Sequence, residues 1–263
     1  MRLRGSLFWG LVLIALATLL LLRQQEIITG DIFGYFWPAV IILLGVWLVL
    51  GVFARRRPVE GKTLSIPLEG AKSARLKLEH GAGRLNIRSG ASAGEILSGV
   101  FTNEVDFKSR LDGDRLEIKV RSSPEFWAWF PGDSLDWDIS LNRDVPISLD
   151  IDSGASASIF DLSELKVVDL DIDTGASSTE VTLPAKAGNT RVDIDTGASS
   201  VVIRVPAGVA ARLRLKTGVS SVSVDTARFP RLDSGLYQSP DFETAANRAD
   251  VTIDSGVGSI DIR

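Results

Sequence analysis

Ser-Leu-Asp-Ile-Asp-Ser-Gly-Ala-Ser (148–156), Asp-Leu-Asp-Ile-Asp-Thr-Gly-Ala-Ser-Ser (169–178) and Arg-Val-Asp-Ile-Asp-Thr-Gly-Ala-Ser-Ser (191–200) are near copies of one phrase. A fourth copy, Arg-Leu-Arg-Leu-Lys-Thr-Gly-Val-Ser-Ser (212–221), keeps the spacing of 21 or 22 residues between glycines 154, 175, 197 and 218. A fifth, Asp-Val-Thr-Ile-Asp-Ser-Gly-Val-Gly-Ser (250–259), follows after a longer interval. Before each glycine, apolar and polar residues alternate strictly, as in Leu149 and Ile151, Leu170 and Ile172, or Val251 and Ile253. That period of two is the signature of a half-buried strand.

The Ser/Thr-Gly pair reads as a turn, and alternation resumes beyond it in Glu180–Pro184 and Val202–Pro206. Each repeat is therefore strand, bend, strand, loop. A two-strand unit cannot bury its apolar face alone, whereas units stacked in register build a continuous core. The glycines mark bends at which a side chain would crowd the next unit, and Pro184 and Pro206 end strands because proline donates nothing to a ladder. The expected body is an all-β stacked-repeat domain, a β-solenoid or a closely related stacked sheet.

Ahead of it lie two uncharged runs, Gly5–Leu22 and Ile32–Ala54, of 18 and 23 residues. At about 1.5 Å per helical residue these reach about 27 and 35 Å, enough for a hydrocarbon layer of about 30 Å. Trp9, Tyr35, Phe36 and Trp37 sit near their ends as interfacial aromatics do, and Asp31 suits a helix N-cap. The competing reading of the first run as a cleavable signal peptide lacks a small-residue cleavage site after Leu22. The fold class expected is a transmembrane α-helical hairpin (1–57), a linker (58–62) and the β-repeat domain (63–263). That domain divides into an irregular part (about 90–147), regular rungs (148–225), an insertion (226–248) read as loop or cap, and a final rung (249–263). Within the irregular part, Leu111-Asp-Gly-Asp114 reads as a hairpin turn.

Arg2 and Arg4 precede the first run and Arg55, Arg56 and Arg57 follow the second, while the connecting segment carries Arg23 against Glu26 and Asp31. The positive-inside rule then places both ends of the pair in the cytoplasm, and the β domain with them. Arg55, Arg56 and Arg57 are also candidate contacts to anionic lipid headgroups, at about 1 kcal/mol per charge. The net charge is −4, and residues 1–57 hold six Arg against two acids, so residues 58–263 carry −8. Such an acidic body argues against nucleic acid as a partner. With no Cys there is neither a disulfide nor a thiolate site.

Phe36-Trp-Pro-Ala-Val-Ile-Ile-Leu-Leu-Gly-Val-Trp47 resembles the transmembrane region of LiaF-type and LiaI-type bacterial membrane proteins. Gly81-Ala-Gly83, Trp137-Asp-Ile-Ser-Leu141, the Asp-Thr-Gly-Ala-Ser repeats and Gly256-Val-Gly-Ser-Ile260 resemble the toast-rack domains attached to them. The resemblance implies a role in the response to cell-wall-active antibiotics, exercised on a membrane sensor kinase.

The remaining candidates are weighed on chemistry. Asp150, Asp152, Asp171, Asp173, Asp193 and Asp195 are expected to face outward in two columns. They lack the ligand spacing of a calcium loop, and a solvated acidic face is the expectation, with Arg212, Arg214 and Lys216 continuing the columns in opposite sign. Acids that recur rung after rung do not make the unlike pair a glycosidase needs. His80 adjoins a glycine with no second His to complete a metal set, and is expected to face solvent. The serines lie in turn positions without a His to activate them, the Gly-x-Ser-x-Gly spacing of Gly90-Ala-Ser-Ala-Gly94 included, and no phosphate loop or zinc motif is present. The expectation is a non-enzymatic membrane protein with no cofactor and no bound metal. Phe126, Trp127, Trp129 and Phe130 are the candidate partner contact, their alternative role being to cap the solenoid's open end or to pack over its irregular N-terminal part. The expected partners are the bilayer and a membrane or signalling protein, with homo-oligomers compatible with the repeat. The rival reading is an extracytoplasmic structural or adhesin-like solenoid.

Overall fold

In a computed structural model, residues 61–122 and 135–263 are described. The two apolar runs, Arg55–Arg57 and the aromatic residues Phe126–Phe130 lie outside them.

Thirteen strands form one sheet among the described residues. They are β1 (Lys62–Pro67), β2 (Ser73–Ser89), β3 (Glu95–Phe101), β4 (Val105–Asp112), β5 (Arg115–Ser122), β6 (Trp137–Leu141), β7 (Pro146–Asp161) and β8 (Lys166–Thr182). There follow β9 (Asn189–Arg204), β10 (Ala210–Val224), β11 (Arg231–Asp233), β12 (Leu236–Gln238) and β13 (Arg248–Ile262). The main path runs β1-β3-β6-β2-β7-β8-β9-β13-β10-β12-β11, with β5 also on β2 and β4 on β5. From β2 to β10 through β13 every pairing is parallel.

Loop length dictates the shape of each rung. β7 holds 16 residues, which extend to about 53 Å. Only Leu162–Leu165 joins it to β8, yet Pro146 lies beside Lys166; four residues span at most about 14 Å. The strand must therefore double back, and it does so at Gly154. Alternate residues of both arms point inward, so Leu149, Ile151 and Phe160 of one rung are all at most 2% exposed and share one core. Stacking repeats this: Ile151, Ile172, Ile194 and Ile253 are successive in-register neighbours, each burial contributing about 1.5–3 kcal/mol.

The bend needs glycine for closeness of approach. A Cβ on Gly154 would sit 2.7 Å from the Gly81 carbonyl oxygen, one on Gly175 2.9 Å from that of Gly154, and one on Gly197 2.7 Å from that of Gly175. Inside the bends of β7, β8 and β9 sit small polar side chains, whose hydroxyls pair with each other. Thr174 Oγ1 meets Ser177 Oγ at 2.9 Å, Thr196 Oγ1 meets Ser199 Oγ at 2.5 Å, and Ser158 Oγ donates to Ser156 Oγ at 3.1 Å. Buried hydroxyls are thereby satisfied without water.

Rung order departs from sequence order. The final copy, β13, lies between β9 and β10, so Gly256 stacks on Gly197 and Gly218 on Gly256. Charge favours the arrangement. Asp250 of β13 lies in register between Arg191 and Arg212, and Arg214 reaches it at 2.5 Å. Direct contact of β10 with β9 would set Arg212 beside Arg191. The basic residues of β10 thus do not continue the Asp columns directly; Thr252 and Asp254 intervene. Residues 226–247 hold the β11–β12 hairpin, which pairs with Arg212–Arg214 of β10, while Phe229 is fully buried.

Candidate functional site

The departure from regularity that defines a site is a rung cut in two. β5 lies parallel to the first arm of β2, Glu79 beside Arg121, and β6 lies parallel to its second arm, Leu85 beside Trp137. Together they make one rung. Five residues connect the arms in β2 (80–84), whereas fifteen (122–136) connect β5 to β6. The excess falls where other rungs merely bend, and its sequence contains Phe126, Trp127, Trp129 and Phe130, which lie outside the described residues.

Both roots of this insertion are tied to the β2 bend. On the β5 side, Ser122 Oγ donates to Glu79 O at 3.4 Å and accepts from Gly81 N at 3.3 Å. On the β6 side, Gly83 has φ +113, and a Cβ there would lie 2.9 Å from Leu135 O; only glycine admits that backbone so closely. Arg84 donates to Asp136 from its backbone N at 3.0 Å, from Nε at 3.1 Å and from Nη2 at 2.6 Å. This bond, then the Asp136 charge, raises the Arg84 pKa further above its usual range. Asp136 N–H also donates to Thr102 Oγ1 at 2.8 Å. Trp137 is fully buried, donates from Nε1 to Asn103 Oδ1 at 2.9 Å, and packs edge-on against Phe101 at 5.2 Å and His80 at 5.0 Å.

His80 corrects the expectation of a solvent-facing residue: it is 2% exposed. Nε2 bonds to Leu135 O at 2.7 Å and Nδ1 to Ser153 Oγ at 3.3 Å. Burial lowers its pKa, outweighing the backbone bond to Leu135 and the Asp136 charge, which act the other way. The signal was in the repeats. His80-Gly81 aligns with Ser153-Gly154 and Thr174-Gly175, and the residue before each of those glycines points inward.

The acidic face stands as a surface. Asp150, Asp171 and Asp193 form one in-register column and Asp152, Asp173 and Asp195 the next. Lys77 meets Asp150 at 3.1 Å and Arg191 meets Asp193 at 2.7 Å, so cations close the first column at both ends. Asp171, between them, has its pKa raised by burial and then by the charges of Asp150, Asp193, Asp169 and Asp173. Among the described residues no group of three His, Cys, Asp or Glu is placed to hold a metal ion.

A parallel β-solenoid of doubled-back rungs, with one rung opened by an aromatic insertion, is the class this architecture defines. The chain belongs to the toast-rack family: residues 55–204 match the N-terminal domain of toast_rack. Residues 7–49 match the LiaI-LiaF-like transmembrane region, which makes this a LiaF-like, membrane-associated toast-rack protein. No curated protein matches the chain. A crystal structure from Clostridium sporogenes, described as that of a candidate cell adhesion protein, is similar with a TM-score of 0.69 at 20% identity, over 76% of this chain and 97% of that one. Likeness at that identity shows the fold alone.

Proposed function

We propose that this protein is a non-enzymatic membrane regulator, anchored by a two-helix hairpin with its β domain in the cytoplasm. It acts in the response to envelope stress by contacting a membrane signalling protein. The LiaF-like membership supports a regulatory role at the membrane. The flanking arginines, Arg2 and Arg4 on one side and Arg55, Arg56 and Arg57 on the other, support the orientation. The observation that carries the contact is the interrupted rung. Regular rungs repeat one surface, whereas the insertion breaks it once, and its roots are tied to the β2 bend by Ser122, His80 and Arg84. An aromatic run in the sequence between two such roots is the kind of anchor protein interfaces use.

Photo-crosslinking from position 127 or 129 in living cells tests this. One dominant membrane-protein adduct is expected, and W127S with W129S should reduce capture from a crosslinker at a distant position by tenfold or more. Unchanged capture removes the insertion as the contact. The rival reading is an extracytoplasmic adhesin-like solenoid, the role named in the description of the Clostridium sporogenes structure of like fold. A C-terminal reporter active only after export would establish it in place of the cytoplasmic reading.

A further inference from the structure

The chain enters the β domain at the edge where the rungs bend. Leu85, just past the β2 bend, pairs with Trp137, Trp137 with Phe101, and Phe101 with Lys62. β1 and β6 are both antiparallel to β3, so the residues before Lys62 approach from the side of the bends. Gly61 is packed there against Val100 and Phe101, and Lys62 pairs with Glu104 in the turn after β3. Seven residues, 55–61, separate the second apolar run from Lys62, and seven residues reach at most about 25 Å.

That edge differs from the opposite one. Bend residues 81–83, 154–157, 175–178, 197–200, 256–259 and 218–221 include no charge, whereas the connections between rungs carry Arg143, Asp144, Glu164 and Lys186, all exposed. At the end of the bend edge far from β1, Val257 is 55% and Val219 78% exposed, and the two are in-register neighbours. We propose that the bend edge rests on the lipid interface of the membrane that anchors the chain, tipped toward the flank formed by the second arms.

The two flanks of the edge differ in charge. Before the bends, Asp152, Asp173, Asp195 and Asp254 face outward in register on the first arms; after the bends, Ala157, Ser178, Ser200 and Ser259 do so on the second. Carboxylates lose hydration at a lipid interface and are repelled by an anionic one, so the acidic flank turns up and the neutral flank down. β1 extends the sheet of second arms, which places the tether on the neutral flank. Nine strands carry that flank from β1 to β10, a length of about 38 Å. A tether of about 25 Å secures only the near end; Val257 and Val219 bring down the far one. The contact requires only the transmembrane region matched at residues 7–49. It is the same on either side of the bilayer and independent of any signalling partner.

The chain has no cysteine of its own, so a single fluorophore can be attached wherever one is introduced. In the full chain, one copy per phosphatidylcholine nanodisc, Ser200→Cys marks the bend of β9 and Ala207→Cys the connection after it, on the opposite edge. With headgroup-nitroxide lipid as quencher, the label at 200 should lose most of its emission and the label at 207 little. Val219→Asp combined with Val257→Asp should restore most of the emission at 200 while circular dichroism stays that of the wild type. Equal quenching at the two positions, or quenching at 200 unchanged by the aspartates, overturns the proposal. So does a label at 200 that is shielded from iodide in water yet not quenched by lipid, which would assign the edge to a protein. If the double variant does not fold, the labels at 200 and 207 decide by the same criteria.

Discussion

Substituting the bend glycines one at a time measures how the rungs hold each other apart. A Cβ on Gly175 would lie 2.9 Å from the Gly154 carbonyl oxygen, about 0.5 Å inside the 3.4 Å at which ordinary van der Waals contact begins. The obstacle is backbone fixed in a parallel ladder, so it does not swing away as a side-chain tip would. Opening two rungs by that amount is an overpacking event of about 1–3 kcal/mol. Gly81 has the same place in the first rung but no described atom within 4 Å of its Cβ position, because the rung beyond it is interrupted there. Its φ is not in the left-handed region, so alanine there should be neutral or stabilising by up to about 1 kcal/mol through the unfolded chain. In a domain of this size about 1 kcal/mol moves the melting temperature by about 2–4 °C. Circular dichroism melts of the full chain should place Gly175→Ala about 2–12 °C below wild type and Gly81→Ala level with it or up to about 4 °C above. Equal melting of the two variants would refute the argument that steric approach, rather than backbone conformation, selects glycine at the bend.

Other perturbations follow the same logic. The Asp171 pKa is raised, so its carboxylate is harder to form in the folded state; any stability from this group is present below about pH 3.8 and is lost as pH rises through the folded value. Asp171→Asn should accordingly raise the melting temperature at pH 7, and the gain should vanish at pH 3. Asn142 is 1% exposed, donates to Glu95 O at 2.8 Å and accepts from Asp144 N at 2.8 Å. Leaving those two groups unpaired in Asn142→Leu should cost about 1–3 kcal/mol each in urea titration.

What the sequence disclosed was whatever repeats locally. Alternation with a period of two around Gly154, Gly175 and Gly197 reports burial residue by residue, and burial is what the stack enforces. The place of β13 was hidden because neighbours in the chain need not be neighbours in a sheet; Asp250 between Arg191 and Arg212 becomes informative only after the register is known. The interrupted rung was hidden for a related reason. β5 reads as half of a hairpin with β4, and so it is, but its other edge joins β6 across fifteen residues to complete a rung on β2. His80 was misplaced because a glycine neighbour reads as a surface turn, whereas before Gly81, Gly154, Gly175, Gly197 and Gly256 the residue is buried.

The slot between β9 and β10 sets a timetable for the nascent chain. A ribosome delivers β10 before β13, so for the time it takes to make the intervening residues, the two edges that will flank β13 face each other with nothing between them. Their closure would juxtapose Arg191 and Arg212, and like charges opposite one another disfavour that premature contact. Insertion of β13 instead sets Asp250 between the two arginines, so the berth suits the strand that arrives last.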